Sequence, residues 1–251
     1  MEGIWHKEWS EELGRDMEYK VVGRGGKLCL AFPSQGGRFF DFEDNGMVEV
    51  LDPWVASGRL QVVLVDGIDN ESWSNPDGDE HERAVQQERW FRYVTNELLP
   101  TVRAANPDCA DPDAPLAMTT GCSMGAFHAA NFFFRRPDLF DGVVGLSGLY
   151  TANHFFPGYT DPLVYDNSPE DYLSNMPHDH PYLDLYRRSQ IVLCTGQGAW
   201  EDLMIESTRH MEATLAELGI PAWIDYWGFD VNHDWPWWQR QLPYFMGYLL
   251  G

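Results

Sequence analysis

The pentapeptide Gly121-Cys122-Ser123-Met124-Gly125 constrains this chain more than any other stretch, because it joins an apolar strand-like run to an apolar helix-like run at a single serine. Residues 115–120 suit a short buried strand, and residues 126–134 suit a buried helix. A strand that stops at a serine and restarts as a helix is the sequence form of a nucleophile elbow. In that turn the serine adopts a strained backbone conformation that lifts its hydroxyl above the sheet, and the flanking glycines leave room for the bend. Ser123 is therefore the candidate nucleophile, and the rest of the chain has to supply a base and an acid.

Around the elbow a strand–helix rhythm predicts a mostly parallel central sheet. Residues 17–23 and 27–32 alternate apolar and polar about Arg24-Gly25-Gly26 and read as an antiparallel hairpin that opens it. Residues 47–57 have helical spacing, residues 60–65 form a β-branched buried strand, and residues 80–105 carry the longest helical pattern. Residues 106–115, with their prolines and aspartates, read as a solvated loop into the elbow strand. Beyond the elbow come strands at 142–148, 190–195 and 220–227, an amphipathic helix at 203–218 closed by Gly219, and a terminal helix from Pro236 to Leu250. With no internal repeat and no linker, residues 1–251 read as one α/β domain with helices on both faces of the sheet. Residues 149–188 break the rhythm. Their many aromatics argue for an ordered, lid-like excursion near the site.

Composition narrows the classes of partner. With 39 acidic against 17 basic side chains the formal net charge is -22, which argues against nucleic acid and anionic membrane surfaces. The first twenty residues hold no apolar secretory core, and no window approaches the roughly 18 apolar residues of a spanning helix. A soluble, cytoplasmic protein is the expectation. Cys29, Cys109, Cys122 and Cys194 show no Cys-x-x-Cys spacing and are expected as free, buried thiols. His178-x-His180 lacks a third ligand, and the acidic loop 66–79 does not have calcium-loop spacing, so no metal is expected. A homo-oligomer is compatible with the sequence.

A serine hydroxyl needs a base within hydrogen-bond reach and a third group that orients the base. His233 follows the last predicted strand, whereas the other seven histidines lie at the chain start, on predicted helices or in the excursion. The acid follows the preceding strand and is Glu201 or its neighbour Asp202. Glu201 has the longer reach and is favoured; Asp202 is the alternative and can instead cap the next helix. Ser, acid, His is the chain order of α/β-hydrolases. One oxyanion donor is expected from the backbone of Met124, and the second from residues 35–39, with Arg38 or Gly37 preferred. The loop 66–79, carrying Asp69 and Trp73, follows a strand end where open α/β sheets place ligands. Together with Trp200 and Trp235 it is expected to contact an apolar acyl or aryl group.

Gly-Cys-Ser-Met-Gly, Gly-Gln-Gly-Ala-Trp-Glu-Asp (196–202) and Asn-His-Asp-Trp-Pro-Trp-Trp (232–238) together resemble the putative-esterase family of α/β-hydrolases. That group includes enterochelin esterases, feruloyl esterases, S-formylglutathione hydrolases and mycolyltransferases. The resemblance runs along nearly the whole chain. It implies the α/β-hydrolase fold, hydrolysis of a small-molecule carboxylic ester through an acyl-enzyme, and no cofactor. Its motifs map the nucleophile to Ser123 and the base to His233, and they leave the acid divided between Glu201 and Asp202. One branch of the family transfers acyl groups, and an acyltransferase or a non-catalytic binding protein would share the same fold.

Overall fold

The structure, a computed structural model, describes residues 3–109 and 116–251. Eight strands form one sheet in the order β1-β2-β4-β3-β5-β6-β7-β8. They are β1 (Ile4–Ser10), β2 (Arg15–Val22), β3 (Lys27–Phe32), β4 (Leu60–Val65), β5 (Ala117–Cys122), β6 (Phe140–Leu146), β7 (Gln190–Thr195) and β8 (Trp223–Tyr226). From β4 to β8 every neighbouring pair is parallel, while β1/β2 and β2/β4 are antiparallel. The helices are α1 (Asp41–Asp44), α2 (Asp52–Ala56), α3 (Glu80–Arg92), α4 (Leu99–Ala105), α5 (Met124–Arg135), α6 (Pro162–Asp166), α7 (Pro169–Ser174), α8 (Leu183–Tyr186), α9 (Asp202–Glu217) and α10 (Trp235–Leu250). The chain has the mostly parallel, helix-flanked sheet of the α/β-hydrolase fold.

The opening hairpin exists but uses different strands from those the turn residues suggest. Its arms are β1 and β2, in register from Ile4 opposite Val21 to Ser10 opposite Arg15. The strands at 17–23 and 27–32 do not pair, because β4 lies between them. The link crosses the start of β4 closely: a Cβ on Gly26 would lie 2.2 Å from the Arg59 carbonyl carbon, and one on Gly23 would lie 2.9 Å from the Leu60 oxygen. Those glycines serve a crossing over a strand end, which in sequence looks the same as a hairpin turn. The polarity of residues 4–10 hid β1, an edge strand with little to bury.

Two cores follow from the period-two alternation of the strands. On β3, Leu28, Leu30 and Phe32 face one cluster with Trp90, Phe91, Phe132, Met211 and Leu215, so α3, α5 and α9 share that side. Cys29 and Ala31 face the other with Trp54, Trp238, Leu242 and Phe245 from α2 and α10. The long helical pattern over 80–105 runs as α3, a π-helical turn at Tyr93–Leu98, and α4. Pro100 has no N–H to give Asn96, and the widened turn lies directly ahead of it, where Leu99 N–H donates to the Val94 carbonyl. The excursion carries the short helices α6, α7 and α8, and the part of the expected 106–115 loop at 110–115 lies outside the described residues. No helix among the described residues is long and apolar enough to cross a membrane.

Candidate active site

Ser123 stands between β5 and α5 with φ 57° and ψ -121°, a region that costs a non-glycine residue of order 1–3 kcal/mol. Its neighbours show why the pentapeptide carries glycines. A Cβ on Gly121 would lie 2.3 Å from the Gly125 carbonyl, and one on Gly125 would lie 2.4 Å from the Phe32 oxygen. The elbow thus nests into the end of β3 and tolerates no side chain at either position. Cys122 between them is a packing residue, and burial pushes its thiol well above the ordinary range.

The serine hydroxyl meets His233 Nε2 at 2.8 Å, and His233 Nδ1 lies 3.4 Å from Glu201 Oε2. Glu201 is fully buried and Asp202 is exposed at the first position of α9. Of the two adjacent carboxylates, Glu201 is the one turned inward. Its other contacts complete a cage: Ser147 Oγ donates to Oε1 at 2.6 Å and Thr195 Oγ1 to Oε2 at 2.9 Å. Trp238 Nε1 in turn donates to Ser147 Oγ at 3.0 Å, and the Trp238 ring stands edge-on to His233 at 5.0 Å. Ser147 holds φ 53°, a second non-glycine outlier that turns its hydroxyl into the site.

The loops bearing the acid and the histidine are tied together. Ala199 N–H donates to Asn232 Oδ1 (2.8 Å), and His233 N–H donates to the Ala199 carbonyl (3.0 Å). Cβ atoms on Gly196 and Gly198 would come within 2.1 Å of the Val231 oxygen and 2.3 Å of Asn232 Oδ1. Sequence reasoning missed Ser147, Thr195, Asn232 and Trp238. The only local signals were a Gly-Leu-Ser-Gly strand end and a tryptophan-rich helix start.

The N–H of Met124 opens α5, where first-turn donors lack intrahelical acceptors. Opposite it runs the loop 33–40, in which three carboxylates hold the backbone. Asp41 accepts from Ser34 N–H, Asp69 from Gly36 N–H, and Asp66 from Phe39 N–H and Arg38 Nε. Burial pushes the Asp66 carboxyl up, opposed chiefly by the bond from Arg38. Gly37 is corrected as an oxyanion candidate, because its N–H already donates to the Ser34 carbonyl at 2.8 Å. The N–H of Arg38 has no such commitment among the described residues.

Two of the expected substrate contacts are also corrected. Asp69 is 3% exposed and spends both oxygens internally, on Gly36 N–H (3.1 Å) and His128 Nε2 (2.9 Å). Trp73 is 2% exposed and packs with Phe127, Phe155 and Phe156 in a cluster that includes Met124, so it backs the elbow from inside. Arg83 fixes that cluster by donating to the Ser72, Trp73 and Phe155 carbonyls. Trp200 is instead 83% exposed with φ 68°, directly beside Glu201. Trp235 is half-buried against Trp238 at 4.9 Å. No group of three His, Cys, Asp or Glu side chains suited to a metal occurs among the described residues.

Residues 10–249 match the "Putative esterase" family. The chain belongs to this family. It is accordingly a carboxylic ester hydrolase, and the esterase has close structural counterparts at low identity. A ferulic acid esterase superposes with a TM-score of 0.75 at 18% identity, covering 99% of this chain and 97% of its own. MPT51 (FbpC1) of Mycobacterium tuberculosis gives 0.73 at 16% identity, with 100% and 98% covered. An S-formylglutathione hydrolase from Agrobacterium tumefaciens gives 0.72 at 14%, with 99% and 96% covered. At such identities the likeness speaks for the fold of the esterase alone. No curated protein sequence matches the chain.

Proposed function

We propose that the protein hydrolyses small-molecule carboxylic esters with Ser123 as nucleophile, His233 as general base and acid, and Glu201 as the group that orients His233. The observation that carries this reading is the 2.8 Å contact between Ser123 Oγ and His233 Nε2, on a serine whose backbone is strained at φ 57°. Ser123 Oγ attacks the ester carbonyl as its proton passes to His233 Nε2. The charge then on the imidazolium draws Nδ1–H toward Glu201, whose cage of hydroxyls keeps the carboxylate aimed at it. The tetrahedral oxyanion is met by the N–H groups of Met124 and Arg38. Collapse expels the alcohol, which takes the proton back from His233. Water repeats the sequence on the acyl-enzyme and releases the acid and free Ser123.

Trp200 and Trp235 are read as the contacts for the apolar part of the ester, with Trp200 on the open rim. The buried, free state of all four cysteines supports a reducing, cytoplasmic setting. Turnover of p-nitrophenyl acetate and butyrate tests the reading: Ser123→Ala should remove it, and full activity in that variant refutes the assignment. Adding an alcohol acceptor distinguishes hydrolysis from acyl transfer, which would divert the acyl group into a new ester.

A further inference from the structure

Behind the nucleophile lies a second acid–histidine pair that the ester chemistry above does not use. His128 sits one turn into α5, 1% exposed, with Nε2 2.9 Å from Asp69 Oδ1. Its ring is enclosed by Trp90 at 4.8 Å and Phe127 at 5.5 Å, both edge-on. Nδ1 has no partner among the described residues, so the ring has one polar tie and that tie is Asp69. The same carboxylate accepts Gly36 N–H through Oδ2 at 3.1 Å. One buried side chain therefore joins the helix that begins with Met124 to the loop that contains Arg38.

A buried acid–histidine pair is costly to bring out of water and contributes little to stability against an apolar replacement of equal shape. What it does supply is a fixed distance and direction between two pieces of backbone. Asp66 and Asp41 hold the loop to β4 and to itself, whereas among the side chains that bond the loop backbone Asp69 is the one that also reaches α5 in the described residues. Gly67 lets the strand end lie close enough, since a Cβ there would come 2.6 Å from the Gly37 oxygen. Both oxyanion donors must point at one atom, and an error near 1 Å can cost about a hundredfold in rate.

We propose that Asp69 and His128 are positioning residues for the oxyanion hole, setting the loop 34–39 against the N-terminus of α5 so that the Arg38 and Met124 N–H groups converge. This inference rests on the reading of Ser123 as nucleophile. His128→Phe keeps an aromatic ring but removes the donor; His128→Gln returns an N–H of similar reach. Asp69→Asn keeps the shape but replaces one acceptor oxygen with an NH2, so both ties survive only if His128 gives up its Nε2 proton and leaves an Nδ1–H buried without an acceptor.

The experiment counts active sites by complete fluorophosphonate labelling. It then measures kcat per labelled site, KM, and inhibition by a trifluoromethyl ketone whose hemiketal oxygen occupies the hole. His128→Phe and Asp69→Asn should each lower kcat per site about ten- to hundredfold, with KM within about threefold. Trifluoromethyl ketone affinity should fall in parallel, and His128→Gln should recover most of both. A purely structural pair would lower the melting temperature or the number of labelled sites and leave kcat per site and inhibitor affinity intact; that result overturns the proposal. If His128→Phe does not fold, Asp69→Asn decides on the same readouts. Persistence of turnover in Ser123→Ala would instead refute the underlying reading, an outcome separate from wild-type kcat per site in the Asp69 and His128 variants.

Discussion

Among the described residues two Ser–His–Glu relays have the same order of atoms, and their surroundings differ. In the first, Ser123 Oγ meets His233 Nε2 at 2.8 Å and His233 Nδ1 lies 3.4 Å from Glu201. In the second, Ser174 Oγ lies 3.3 Å from His210 Nε2 and His210 Nδ1 lies 2.9 Å from Glu170. By side-chain distances alone the second has the tighter acid–histidine contact. The backbone separates them. Ser123 is strained above a strand end and followed by the free N–H groups of a 12-residue helix. Ser174 is the last residue of α7, where carbonyls rather than N–H groups point outward, and its hydroxyl already donates to the Glu170 carbonyl at 2.6 Å. The His210 side chain is 51% exposed against 16% for His233. The second relay ties the excursion to α9, with Ser207 also bonded to Glu170.

The comparison breaks most directly at the two serines. Ser123→Ala should lower kcat/KM for p-nitrophenyl esters by about a thousandfold or more, whereas Ser174→Ala should stay within about twofold. Equal losses would mean the elbow is not what distinguishes them. Next in size, Glu201→Gln is expected to lower kcat by roughly a hundred- to ten-thousandfold, from the precedent of an uncharged residue replacing a triad acid. Glu170→Gln and Asp202→Asn should leave kcat near wild type in the same assay. Gly125→Ala forces a Cβ onto the Phe32 carbonyl, and thermal melts should register about 2–4 kcal/mol of destabilisation with a loss of activity on top. Trp200→Ala, at an exposed position, should leave stability within about 0.5 kcal/mol and raise KM a few-fold; an unchanged KM for every ester tried would remove Trp200 from substrate contact.

The smallest effect is a pH slope. Burial, outweighing the bonds from Ser207 and His210, raises the Glu170 carboxyl above its ordinary 4.5. Between that value and its raised one, the folded chain holds a proton that the unfolded chain has released. The contribution of Glu170 to stability therefore falls as pH rises through this window. Glu170→Gln has no such titration, so its melting temperature relative to wild type should climb as the pH is raised above 4.5. A constant difference would show that the carboxyl is not raised.

The family resemblance, the fold class and the Ser–acid–His order were legible in the sequence because each depends on local signals. Glycines two residues either side of a serine, an apolar strand before it and an apolar helix after it are contiguous features. So are the acid and histidine just beyond β7 and β8. The hairpin was misassigned because Arg24-Gly25-Gly26 can serve a tight turn or a crossing, and the presence of β4 between β2 and β3 is a non-local fact. The π-helical turn before Pro100 and the edge strand β1 were missed for local reasons: one interrupts a continuous helical pattern, and the other is polar along most of its length.

What the sequence determined by itself, then, was the room for an elbow: glycines at 121 and 125 carry no Cβ to obstruct a strained turn at Ser123. Only the tertiary structure decided which of Glu201 and Asp202 turns inward, since adjacent residues differ by a rotation that the Ser147 and Thr195 hydroxyls reward on one side alone. It also decided that Gly37 has spent its N–H and that Asp69 and Trp73 lie beneath the site rather than facing a ligand. A side chain's chemistry is written in its residue type, but its partner is chosen by whatever the rest of the chain brings within about 3 Å of it.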